Sequence, residues 1–274
     1  MKNIIRLFSI FIILSVILSC DKINKPYTKP VPPVPGNQKV LVEEFTGHRC
    51  TNCPDAHEQL HQLIETYGDS LIIPIAMHYG FFAQPLGSTY PPDYKSDAGD
   101  MLGDFYDAEN EGLPTGMVNR IKKGSSPLIS HDSWATYVDS ILRTSSKINI
   151  EISNSFNATS RELNATIKST FLTDFNTNLK LVVVITEDSL ISPQADGANI
   201  VADYVHMHML RVSITDTWGE LIVLGSIAAE EELEKSYTYT LDVAWGEKNC
   251  MIVAYIYDET TGEVIQAEQT SVIE

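Results

Sequence analysis

The sequence has 274 residues, with 36 acidic and 19 basic side chains and a formal net charge of −17. A chain this acidic is a poor direct partner for nucleic acid or an anionic membrane face, because their phosphates repel it. Its 43% hydrophobic content excludes a disordered chain and leaves enough apolar side chains for two modest domains.

The first element is a targeting segment. Lys2 and Arg6 precede the apolar run Leu7–Leu18, which is too short for a membrane span and stops at Ser19-Cys20. Ile17-Leu18-Ser19-Cys20 resembles a bacterial lipobox. That resemblance implies a signal peptide over residues 1–19 and a lipidated Cys20 that ties the protein to membrane lipid. Asp21–Gly36, DKINKPYTKPVPPVPG, carries five prolines that block helix and central strand. Residues 20–37 therefore read as a lipidated cysteine on a stiff, extended tether.

Lys39–Ile64 carries the chemistry. Val40, Leu41, Val42 and Phe45 form a β-favouring run, and Thr46-Gly47 breaks it. Cys50 and Cys53 follow with two residues between them, and Ala56, Leu60, Leu63, Ile64 and Tyr67 then recur at helical spacing. A cysteine at a helix N-terminus sits beside unpaired amides and the positive end of the dipole, which favours its thiolate. The second cysteine, one turn in, can close a disulfide with it. His48 and Arg49 add positive charge beside Cys50 and are the candidate residues for tuning its pKa. Cys53 shares a line with Leu60 and Ile64 and is expected to face the core, leaving Cys50 as the attacking thiol. Strand–CxxC–helix resembles a thioredoxin-like redox site.

Leu71–Met77 is a second, mostly apolar strand suited to a sheet covered on both faces, although Pro74 argues against a fully bonded central position. Gly80–Tyr94 is a long aromatic loop with two readings, a lining for a polypeptide groove near Cys50 or, the favoured one, a cap on the core by Phe81, Phe82 and Tyr90. Asp97–Glu109 reads as a helix. Leu113-Pro114-Thr115 then resembles the thioredoxin loop in which a cis proline faces the disulfide, which implies that Pro114 and Thr115 shape a peptide-binding edge. Met117–Ile121 is a strand and Trp134–Leu142 the last helix. Residues 38–144 thus read as an α/β thioredoxin-like domain.

The pattern changes at Ser145. Lys147–Ser153, Leu163–Thr170, Leu179–Thr186, Val205–Ser213, Ser236–Val243, Met251–Asp258 and Glu263–Thr270 read as strands with little helix between them. Residues 145–274 are therefore expected to form an all-β, immunoglobulin-like sandwich domain. Cys250, flanked by Met251, Ile252 and Val253, reads as an inert core thiol.

Two metal readings are weak. Cys50, Cys53, His57 and His61 follow C-x2-C-x3-H-x3-H, which matches no common zinc finger. His206 and His208 share a strand face, but no carboxylate or thiol nearby completes a ligand set. No metal and no cofactor is expected.

Lipobox, proline tether, GHRCTNC, Leu113-Pro114-Thr115, VHMHMLR and MIVAYIYDETTGEVIQAEQTSV together resemble the outer-membrane lipoproteins of about 28 kilodaltons from Bacteroidota. The resemblance implies a lipid-anchored protein of the outer membrane and assigns no reaction. Two function classes remain open. One is a thiol–disulfide oxidoreductase acting on cysteine-containing envelope proteins through Cys50 and Cys53. The other is a surface binding or structural lipoprotein with a static disulfide.

Overall fold

The structure is a computed structural model and describes residues 37–273. Thirteen strands and four α-helices follow one another in chain order: β1 (Val40–Thr46), α1 (Cys53–Tyr67), β2 (Ile72–His78), α2 (Asp97–Tyr106), α3 (Ala108–Glu111), β3 (Thr115–Val118) and α4 (Trp134–Leu142). After them come β4 (Ile148–Asn157), β5 (Glu162–Phe171), β6 (Leu179–Glu187), β7 (Leu190–Asp196), β8 (Asn199–His206) and β9 (Met209–Ser213). β10 (Glu220–Val223), β11 (Glu232–Thr240), β12 (Cys250–Asp258) and β13 (Val264–Ser271) complete the chain.

One mixed sheet runs through both halves of the sequence in the order β13-β12-β6-β9-β2-β1-β3, with β10 alongside β6. β1 and β2 are parallel, joined by the α1 crossover, and β3 lies antiparallel on the far edge of β1. β9 joins β2 at the single pair Ala76–Met209, where the Ala76 amide donates to the His208 carbonyl at 2.8 Å. That late junction explains Pro74. It sits inside β2, paired with Val42 of β1, before the other side of the strand gains a partner, so its missing N–H leaves nothing unpaired.

The alternation along each strand fixes the layers. Val40, Val42 and Ile72 pack against α1 and α4 through Leu60, Leu63, Trp134 and Val138. Leu41, Phe45, Ile73 and Met77 face the opposite way, against Leu102 of α2 and in one core with Val184, Val253 and Tyr255. β6 and β12 read as continuous apolar runs because both their faces are buried. Their other residues, Val183, Ile185, Ile252 and Ala254, meet Ile148, Ile150 and Ile167 of a three-stranded sheet, β11-β5-β4. That smaller sheet alternates buried and exposed positions because its outer face meets water.

The sequence reading divides the chain after Thr144, yet the main sheet crosses that point. The sandwich around Ile148 and Ile252 borrows one layer from the same sheet that holds β1 and β2. A buried ion pair of the first half is bonded across the junction to Tyr255. Arg120 donates to both carboxylate oxygens of Glu43 at 2.7 and 2.6 Å and to the Tyr255 hydroxyl at 2.7 Å. Cys250 lies fully buried, and burial pushes its thiol pKa up to about 12, as an inert core thiol requires. The expected strand Val205–Ser213 is two strands. His208, at φ 59°, breaks it, and its amide donates to the Asp188 carboxylate at 2.6 Å. The preceding half pairs with β7 as a separate two-stranded ribbon. Cys20 and the tether lie outside the described residues.

Candidate functional site

The cysteine turn leaves the end of β1. Gly47 is required there, because a Cβ would stand 2.6 Å from the Phe82 carbonyl carbon. The Arg49 amide donates to the Phe82 carbonyl at 3.0 Å and the Cys50 amide to the Gly47 carbonyl at 2.9 Å, which tightens the turn. Cys50 and Cys53 form a disulfide with a Cα–Cα distance of 5.4 Å, and α1 starts at Cys53 with Pro54 in its first turn. On the other side of β1, Thr115 pairs with Phe45, and the Leu113–Pro114 bond is cis. The same register sets Pro114 beside Thr46, at the strand end from which the cysteine turn departs. Strand, CxxC turn, helix and proline loop therefore converge.

What the sequence does not announce is their cover. The β7–β8 ribbon folds over the turn. The Ala195 amide donates to the His48 carbonyl at 2.8 Å and the Gly197 amide to the Thr51 carbonyl at 2.9 Å. Gln194, wholly buried, donates from Nε2 to the Cys50 carbonyl at 2.9 Å and to the Gly47 carbonyl at 3.3 Å. Cys53 faces the core as expected, but Cys50 is buried as well, only 3% exposed. An open attacking sulfur is thus not what this arrangement presents.

The pKa-tuning role expected of His48 is corrected. Its ring is buried, stacks on Tyr90 at 5.3 Å and has Nε2 3.1 Å from the Gln84 carbonyl. Burial lowers its pKa, so it stays neutral and adds no charge beside Cys50. Arg49 turns to the aromatic loop, with its guanidinium 4.4 Å from the centre of the Phe81 ring. That loop splits its roles. Tyr90 and Tyr94 are buried, whereas Phe81 and Phe82 are exposed.

Beneath the ribbon lies a set of polar side chains that motif reading did not join: it weighed His48, His57 and His206 apart and passed over Glu44, His78 and Tyr204. His78 and His206 are buried with ring centres 5.5 Å apart, and His48 stands 5.6 Å from His78. Burial drives the His78 pKa well down, with the neighbouring His206 and His48 adding to it, and burial takes His206 to about 4. The Tyr204 hydroxyl lies 2.6 Å from His57 Nδ1, while His57 Nε2 is 3.2 Å from a Glu44 carboxylate oxygen. Burial pulls the His57 pKa down, but the charge of Glu44 and its hydrogen bond together outweigh it and leave the pKa raised. For the residues passed over, the available signal was Glu44, an acidic residue on the helix-facing side of an apolar strand.

These groups border a cavity of about 580 Å³. Glu44, Ala76 and His78 form its floor, α1 one wall, and Tyr204–Met209 the other. No group of three or more His, Cys, Asp or Glu among the described residues is arranged to hold a metal ion. The C-x2-C-x3-H-x3-H set is divided, since its sulfurs are bonded to each other and His61 is exposed beside Glu65.

No curated relative matches the sequence. Among solved structures, HBP35 of Porphyromonas gingivalis is similar in fold, with a TM-score of 0.60 at 17% identity over 86% of this chain and 76% of that one. A domain of the outer membrane lipoprotein Omp28 from the same organism aligns at 22% identity over 46% of this chain and 88% of that one, with a TM-score of 0.34. The family described as outer membrane protein Omp28 matches residues 102–274. That match covers the proline loop, the ribbon and every strand from β3 onward, well over half of the sequence, and the chain belongs to the Omp28 family of outer membrane proteins.

Proposed function

We propose that this is a lipid-anchored, non-enzymatic protein of the outer membrane whose Cys50–Cys53 disulfide is a static clasp. The observation that carries the reading is the cover. Both cysteines are buried, and the ribbon is bonded to the turn through Ala195, Gly197 and Gln194. Thiol–disulfide exchange needs an attacking sulfur in reach of its target. Here the first sulfur lies under another part of the same chain, and the histidine beside it is neutral. The anchor is Cys20, supported by the lipobox, and the mass of the mature protein's first peptide checks it: an unmodified Cys20 there would sink it.

The second reading is exchange on envelope proteins by Cys50 with Cys53 resolving. It is favoured by the thioredoxin-like convergence of strand, CxxC turn, helix terminus and proline loop. It requires the ribbon to lift. The test is reduction and alkylation of the native protein. The clasp reading expects a bridge that resists mild reductant until denaturant is added, and no mixed disulfides trapped by Cys53→Ser. Rapid alkylation of Cys50 near neutral pH, with trapped partners, would establish the exchange reading instead.

A further inference from the structure

We infer that the free edge of β8 and the cavity beside it form a groove for an extended polypeptide carrying apolar and basic side chains. Among the described residues β8 pairs with β7 alone, and no other main-chain bond leaves Asn199–His206. The Ala195 amide points away from β8, to His48, so Ala195–Ile200 is a non-hydrogen-bonded pair. The Ile200 N–H and C=O therefore point outward, at the open edge. Edges of this kind are usually blunted with lysine, proline or a covering element. β8, NIVADYVH, has neither residue.

The surroundings specify the occupant. Val205 and Met207 are exposed at 47% and 41% beside the cavity, although the ribbon offers them no core. The cavity adjoining Val205 and Met207 is walled by Leu60 and Ile64 of α1, and at about 580 Å³ it has room for several side chains. A strand added to β8 sends every second side chain to the face that carries Asp203 and Val205, so that face takes apolar and basic side chains together. The basic ones meet acid. Asp203 lies exposed on β8, and Glu58 and Glu65 are exposed on α1. The net charge of −17 also opposes pairing of two copies through this edge.

The probe is a fluorescent heptapeptide, Val-Thr-Lys-Thr-Val-Thr-Lys, titrated against the mature protein by anisotropy, with amide exchange followed over Asn199–His206. Saturable binding with slowed exchange in β8 is expected. The same peptide with alternate amides N-methylated keeps its charge and loses its edge hydrogen bonds, so it should bind at least about tenfold more weakly. Ile200→Pro removes one outward N–H and none of the ribbon's own bonds. It should weaken the unmodified peptide comparably while leaving the melting temperature near that of the parent. Equal binding of the N-methylated peptide, undiminished binding to Ile200→Pro, or equal binding of the peptide with glutamate in place of lysine would each overturn the inference. A dimer in which β8 is already protected and the peptide cannot compete would overturn it as well.

Discussion

His206 shows how one residue sets the pH limits of the site. It is buried, and its pKa of about 4 lies below the ordinary 6.5. The unfolded chain therefore binds the proton more readily between those values. Stability is unaffected above pH 6.5 and is lost as pH falls from 6.5 toward 4, by roughly 3 kcal/mol for this group. His78 and His48, both lowered by burial, act in the same direction. His57 acts oppositely: its pKa is raised, so its contribution is present below 6.5 and fades as pH rises through the folded value. Three against one, the protein should weaken on acidification. Denaturant midpoints measured from pH 7 to pH 4 should fall in the parent and fall less in His206→Phe. A flat profile in the parent would mean these rings are already solvated.

At the scale of elements, the first third of the fold was legible and the ribbon was not. β1, α1, β2 and α4 follow from periodic apolar residues closed by Gly or a turn, and α4 runs from Trp134 to Leu142 as its apolar set indicates. β4, β5 and β11 declare themselves by strict alternation because one face meets water. β7 carries Ser192-Pro193-Gln194, poor strand formers, and owes its existence to pairing with β8 and bonding to the cysteine turn. The alternation of VHMHMLRVS ran across His208 unbroken, since a positive φ leaves no mark in a hydrophobic pattern. The cysteine pair was readable and its burial was not, because the cover comes from 144 residues further along the chain. The packing of the turn on the aromatic loop gives a test. Gly47→Ala drives a methyl into the Phe82 carbonyl and should cost about 1–3 kcal/mol by urea denaturation. Cys50 should alkylate faster in this variant after reduction. An unchanged midpoint would mean that the turn and the loop are not tightly joined.

The whole molecule is tied together by its sheet and by the Glu43–Arg120–Tyr255 contact within it. Both members of the ion pair are buried, at 1% and 2% side-chain exposure. The charge on Glu43 is the leading influence that holds the Arg120 pKa high against the cost of burial. Removing one partner strands the other charge, so Glu43→Ala should cost about 3–5 kcal/mol. The loss should show in one cooperative transition, followed by tryptophan fluorescence and circular dichroism together. Two separated transitions would mean that residues 38–144 and 145–274 unfold as independent bodies.

The ribbon's position has a consequence for biogenesis. A chain that emerges amino end first presents Cys50 and Cys53 long before Gln194 and Ala195 exist to cover them. During that interval both thiols are open to whatever oxidises envelope proteins. Once the ribbon closes, the same machinery meets a sealed surface. On the clasp reading the disulfide is therefore a mark of history, closed in the emerging chain before its later half docks over it.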